Sequence, residues 1–228
     1  MPGMRRHVRA QIQRQPRLLI LRQSRVMQHM SCARSVEIVR RAEGHPVSAE
    51  VSPHHLLLTD ESCLGYNTNA KMNPSLRTKR DVESLLEGVQ DGTITVLAAD
   101  HAPHTREAKE LEFDAAPFGI IGIETALPLY LKALIEPKVI DWMRLIELMT
   151  TEPASLCGLN AEPWSLGALR EGGPADVTII DPAALWTIRA GDFTSKSRNT
   201  PFEGWNVTGR AEVVIVGRTV KADRRSPA

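Results

Sequence analysis

Acidic residues are missing from the start of this chain: Met1 to Val36 carries eight arginines and no Asp or Glu, and the first acid is Glu37. Mitochondrial targeting segments are Arg-rich and acid-poor, but also Ser-rich and amphipathic. Here Ser is scarce and the apolar residues mark no helical face. The expectation is therefore a misplaced start, or a frame-shifted leader over 1–24 joined to the remainder of a longer gene. Long apolar runs are lacking too. The longest near the start is Leu18–Leu21, far short of the roughly 20 residues that a membrane-spanning helix needs. Cysteine is sparse and odd in number: Cys32, Cys63 and Cys157 fit no zinc-ribbon or redox spacing, and they read as reduced thiols of a cytoplasmic protein. Neither sign of charge is in excess, the net being +1, which argues against a nucleic-acid partner.

What is present is an ordinary globular composition, 228 residues with 42% hydrophobic and 24% charged. That is enough for one large or two small domains. The most informative stretch is Thr93–His104, TITVLAADHAPH. Its apolar run predicts a buried strand of a parallel sheet, and Asp100 follows where barrel strands carry their chemistry. An Asp with two imidazoles within four residues suits metal binding or proton transfer; Asp100 capping a polar turn is the plainer alternative.

The same alternation runs through the preceding residues. Arg25–His29 predicts the tail of a strand, Ser35 the cap of a helix to Ala42, and Pro46–Val51 a second strand. Thr78 predicts the N-cap of a helix to Val89, with Val82, Leu85, Leu86 and Val89 on one face, and Asp91-Gly92 closes it. Strand–helix–strand–helix–strand is the pattern of a parallel sheet. Gly122–Leu134 and a helix capped by Asp141, with Trp142, Leu145, Ile146 and Met149 inward, follow. Beyond Leu159, Gly167–Arg170, Asp176–Ile180 and Ala211–Val216 predict a small β-rich region over 161–228, with Thr194–Pro201 as a polar loop.

Several motifs occur in order: His29-Met30-Ser31-Cys32-Ala33-Arg34-Ser35, Pro53-His54-His55-Leu56, Asn73-Pro74-Ser75-Leu76-Arg77, Asp100-His101-Ala102-Pro103-His104 and Ala116-Pro117-Phe118-Gly119. Ser195–Phe202 and Gly172–Pro182 follow. Together they resemble the C-terminal half of the dihydroorotases of the amidohydrolase superfamily, over His29 to Val220. The resemblance implies an α/β fold: the last three strand–helix units of a (β/α)₈ barrel over 25–160, then a small β-sandwich region. It further implies a zinc centre at the strand ends, where a zinc-activated water opens dihydroorotate to N-carbamoyl-aspartate in pyrimidine biosynthesis.

By position, His29 matches a metal-binding histidine after the sixth strand, and Asp100 the aspartate after the eighth, which touches metal and shuttles a proton. Asn73 and His104 match side chains that hold the substrate, and the backbone at Phe118 and Gly119 matches a ring-amide contact. Structural alternatives stand beside these: Asn73 shaping a turn before Pro74, His104 capping the next helix, His54 and His55 forming a buried hydrogen-bonded pair, and Lys196–Phe202 serving as a connection. Ser75 stands where the family has a second proline.

One family feature is absent. No His-x-His pair occurs in the sequence, and the family places that pair, a bridging carboxylate and a further histidine before the position of His29. The expectation is a truncated chain with an incomplete zinc site, two open sheet edges and little or no activity alone. Two other readings stay open. One is an allantoinase- or hydantoinase-type amidohydrolase. The other is a non-catalytic partner of aspartate carbamoyltransferase, with a homodimer as a further partner state.

Overall fold

The computed structural model describes residues 25–42 and 44–225; the Arg-rich segment 1–24 lies outside them. Three strands, β1 (Arg25–Met27), β2 (Val47–Val51) and β3 (Val96–Leu97), lie parallel in that order. Helix α1 (Ala33–Arg41) links β1 to β2. The short α2 (Pro53–Leu57) and the longer α3 (Lys79–Gln90) lie between β2 and β3. Ala49, Glu50 and Val51 are all buried, as expected of a parallel strand covered on both faces. The predicted strand over 93–97 is shorter in fact. The Ile94 N–H donates to the Gly88 carbonyl of α3 instead of to a neighbouring strand.

Helix starts follow local chemistry. Thr78 and Asp81 form a capping box on α3, and Asp81 Oδ1 also accepts from the Ala33 N–H that opens α1, at 2.9 Å. One carboxylate thus serves the first turns of two helices, each of which carries orphan N–H groups. The predicted cap Ser35 lies inside α1; the N-cap is Cys32, whose Sγ is 3.1 Å from Ser35 Oγ. Leu85 and Val89 of α3 are buried with Val36 and Val39 of α1 in the main core.

After β3 come α4 (Arg106–Lys109), α5 (Ala126–Tyr130) continued by a π-helical turn Leu131–Ile135, α6 (Trp142–Met149) capped by Asp141, and α7 (Thr151–Leu156). On α6 the buried pair is Leu145 and Leu148, while Ile146 is 41% exposed and not inward as predicted. A second sheet follows, an antiparallel meander of β4 (Val177–Thr187), β5 (Asn206–Val216) and β6 (Thr219–Asp223). Gly167–Arg170 is not a strand, and Thr194–Pro201 is a loop as predicted. The fold is mixed α/β. A second apolar cluster, with Leu58, Met72, Ile120, Leu129, Phe202 and Val207, ties the meander to the first sheet's loops. No helix among the described residues is long and apolar enough to cross a membrane.

Candidate functional site

The parallel strands deliver two residues to one end of their sheet in an unusual backbone state. His29, just beyond β1, has φ 53°, and Asp100, just beyond β3, has φ 49°. For non-glycine residues this left-handed conformation costs roughly 1–2 kcal/mol, and such strain concentrates at functional sites. Their side chains meet: His29 Nδ1 is 3.9 Å from Asp100 Oδ2. His29 Nδ1 is also 3.3 Å from Glu50 Oε1 on the intervening strand β2. From α2, His54 Nε2 comes within 3.6 Å of Asp100 Oδ2.

The floor of this cluster is dry. His54 is 1% exposed, and burial pushes its pKa well below the ordinary imidazole value, with His55 and His29 adding to the effect. His55 is lowered as well, by burial, against the opposing pull of its bond to the Pro74 carbonyl. The expected hydrogen-bonded histidine pair is therefore half right. The rings lie with centroids 4.3 Å apart, tilted by 51° to one another, but His54 Nε2 is buried with no hydrogen-bond partner. Beneath them the Tyr130 hydroxyl lies 2.7 Å from both the Val51 and the Ala98 carbonyls, donating to one at a time and tying β2 to β3. Burial, with Glu50 nearby, holds that phenol far above its usual pKa and so neutral.

The imidazoles adjacent to Asp100 in sequence do not join it. His101 forms an isolated bridge to Ile120, and its Nδ1 accepts from the Gly122 N–H at 3.1 Å. The His104 ring pairs with the main chain instead, its Nε2 2.7 Å from the Phe118 carbonyl. It does not cap α4; Thr105 does, accepting from Ala108 N–H. Asn73 is exposed, and its side chain makes no hydrogen bond to the described residues.

Loop 110–119 brings Phe118 and Gly119 beside His104, and two lysines hold it there. Lys71 Nζ donates to the carbonyls of Phe113, Asp114 and Ala116 at 2.5, 3.0 and 2.7 Å. Lys109 Nζ donates to those of Pro117 and Gly119 at 2.9 and 3.2 Å. Burial, and the neighbouring Lys71 charge, lower the Lys109 pKa to about 8. Asn199 adds a bond from Nδ2 to the Gly119 carbonyl. The Gly119 N–H is taken by the Lys71 carbonyl, so the backbone left for a ligand is the Phe118 N–H and unused carbonyl lone pairs. Sequence reasoning missed Glu50, Tyr130, Lys71, Lys109 and Asn199. A carboxylate inside the predicted second strand was the available signal for Glu50; the lysines carry none.

Residues 19–220 match the model of the Amidohydrolase family. A dihydroorotase of Geotalea daltonii is 49% identical over 190 residues, 82% of this chain and 43% of that protein. One of Pelotomaculum thermopropionicum is 46% identical over 199 residues, 86% of this chain and 45% of that protein. Among solved structures, an L-hydantoinase (dihydropyrimidinase) of Arthrobacter aurescens superposes with a TM-score of 0.79 at 30% identity, covering 87% of this chain and 45% of that one. A D-hydantoinase (dihydropyrimidinase) of Thermus sp. gives 0.77 at 26% identity, with coverages of 89% and 45%. The chain spans less than half the length of each.

Proposed function

The chain belongs to the amidohydrolase family, and from that premise we propose that it supplies the C-terminal part of a dihydroorotase active site, where water opens dihydroorotate to N-carbamoyl-aspartate. The observation that carries the reading is the meeting of His29 and Asp100, each held in left-handed backbone at a strand end, with side chains 3.9 Å apart. In this reading 25–160 are the last strand–helix units of a (β/α)₈ barrel and 161–228 a small β appendage. The dihydroorotase relatives, at 42–49% identity, favour this substrate over that of a hydantoinase, whose structures share 22–30%.

Zinc fits the donors present as part of a ligand set. His29 and Asp100 are of the types zinc takes, and the His54 nitrogen beside them is orphaned and buried. No group of three or more His, Cys, Asp or Glu placed to hold a metal occurs among the described residues. Zinc normally takes three protein ligands and, when bound, supplies a water of pKa about 7 and a polarised carbonyl. Here His29 and Asp100 would hold it.

The chain's own residues do the rest. Asp100 takes a proton from the attacking water and returns it to the ring nitrogen as the amide bond breaks, a role that needs a carboxylate beside both groups. His104 and Asn73 bind the substrate carboxylate and ring, and the Phe118–Gly119 backbone orients the ring amide. Buried His54, His55 and Tyr130 keep bulk water from the floor beneath the carboxylate.

The test is turnover. Alone, the chain is expected to bind less than one equivalent of zinc tightly and to hydrolyse no dihydroorotate. Combined with the N-terminal half of the Geotalea daltonii relative, it is expected to turn over, and Asp100→Asn to lower kcat by roughly 10²–10⁴ with little change in KM. His104→Ala is expected mainly to raise KM. A recombined enzyme indifferent to Asp100→Asn refutes the proposal.

A further inference from the structure

Asn199 belongs to the loop between β4 and β5, yet its side chain ends among the segments that carry His104 and Gly119. It is 4% exposed, and a buried carboxamide is costly unless its polar atoms find partners. Here they do. Nδ2 donates to the Ala102 carbonyl at 3.0 Å and to the Gly119 carbonyl at 3.1 Å. Oδ1 accepts from the His104 N–H at 3.2 Å. A carbonyl can only accept and a backbone N–H can only donate, so a single orientation of the amide fits. An aspartate of the same shape would offer neither carbonyl a donor.

The loop is anchored on both sides of Asn199. Before it, the Glu124 carboxylate accepts from the N–H groups of Thr194 and Ser195 at 2.6 and 3.3 Å. After it, the Thr200 hydroxyl accepts from the Phe202 N–H at 3.2 Å, and Phe202 is wholly buried in the second apolar cluster. The Asn199 carbonyl itself accepts from the Ile121 N–H at 3.0 Å. The two segments that its amide joins run close together, the Ala102 N–H donating to the Ile120 carbonyl at 2.7 Å. The His104 ring in turn reaches the Phe118 carbonyl. Asn199 therefore holds the backbone at both ends of that contact.

We propose that Asn199 is a positioning residue for the substrate side of the site, fixing the spacing between His104 and the Phe118–Gly119 backbone. The proposal rests on the substrate roles given to those residues above and deepens them. Lys71 and Lys109 grip the 110–119 loop by its carbonyls alone, whereas Asn199 grips that loop and the His104 N–H with one planar group. A displacement of about 1 Å in a binding contact is enough to cost affinity or rate. The loop between β4 and β5 thus acts on the site without touching the substrate.

Two measurements test this: hydrogen exchange on the ¹⁵N-labelled chain alone, and kinetics after combination with the N-terminal half of the Geotalea daltonii relative. In the wild-type chain the Asn199 carboxamide protons are expected to exchange at least about tenfold more slowly than those of exposed Asn73. Asn199→Ala is expected to speed exchange of the His104 N–H by roughly tenfold or more, while Leu85 and Val89 of α3 change little. In the recombined enzyme Asn199→Ala is expected to raise KM roughly tenfold with kcat within about threefold. Its effect should shrink when His104 is already replaced by alanine, because the two act on one contact. A merely structural loss would instead lower the active fraction and leave KM alone. Carboxamide protons as fast as those of Asn73, a folded Asn199→Ala with an unchanged His104 N–H, or an unchanged KM overturns the proposal. Should Asn199→Ala not fold, the wild-type carboxamide rates decide. A wild-type combination with no turnover counts against the dihydroorotase reading, while exchange in the chain alone still reports on Asn199.

Discussion

Replacing Lys71 by methionine removes one ammonium that three loop carbonyls share. Its Nζ lies 2.5, 3.0 and 2.7 Å from the oxygens of Phe113, Asp114 and Ala116, and 5.3 and 4.7 Å from the ring centroids of Phe113 and Phe118. Hydrogen bonds from a charged donor are worth about 1.5–3 kcal/mol each, so three bonds would set an upper bound of about 5–9 kcal/mol. Two effects cut this down. Methionine preserves the apolar stem and removes the cost of burying a charge, which is several kcal/mol on its own. The freed carbonyls, at a loop, can also turn to water. A net loss of about 2–3 kcal/mol in loop stability is expected, a roughly 30- to 150-fold increase in loop opening. Amide exchange reads this directly. Ala115, Ala116 and Gly119, whose N–H groups are bonded within the loop or to Lys71, should exchange faster by that factor, while Leu85 and Val89 of α3 change little. Loop amides that stay within about twofold of wild type would refute the clamp, since a twofold change is only ~0.4 kcal/mol.

The alternation of strands and helices was legible because it is written locally. Thr78 and Asp141 announce helix starts by their own side chains, and the apolar run before Asp100 announces a strand end. The companions of Asp100 were not legible. His101 and His104 are its neighbours in sequence, yet those that reach it are His29 and His54, brought by parallel pairing across long connections that no local pattern encodes. Strand register is likewise hidden. In PVSAEV Val alternates with polar residues, but β2 lies mid-sheet and buries Glu50 as well as Val51. Lys71 and Lys109 look like solvated charges in any composition, and only the carbonyl-rich turn of Ala116-Pro117-Phe118-Gly119 folding back onto them gives them a role. In the C-terminal region Thr219–Asp223 pairs with β5 despite having almost no apolar pattern. Gly167–Arg170 fails as a strand because Gly167 takes φ 87°, outside the pleated range.

Gly119→Ala is expected to destabilise the loop by about 2–4 kcal/mol, because the residue has φ +100° and an added Cβ would lie 2.5 Å from that of Ala102. Chemical denaturation reads the loss, and adding Ala102→Gly should recover only the steric part. The last expectation concerns acid. His54 and His55 are both held neutral, with pKa values pushed down by burial from 6.5. As pH falls through that unfolded value the unfolded chain takes up two protons that the folded chain refuses. The unfolded state then binds more protons, and stability must drop with falling pH. The slope has a ceiling of about 2.7 kcal/mol per pH unit, two protons' worth. The loss begins near the unfolded value and continues as pH falls toward the lowered folded ones. Urea midpoints measured between about pH 7.5 and 5.5 would show it, and His54→Asn with His55→Asn should flatten the slope. If stability is constant across that window while the ring signals of His54 and His55 titrate near 6.5, the two imidazoles are not buried in solution, and the dry floor beneath Asp100 is wrong.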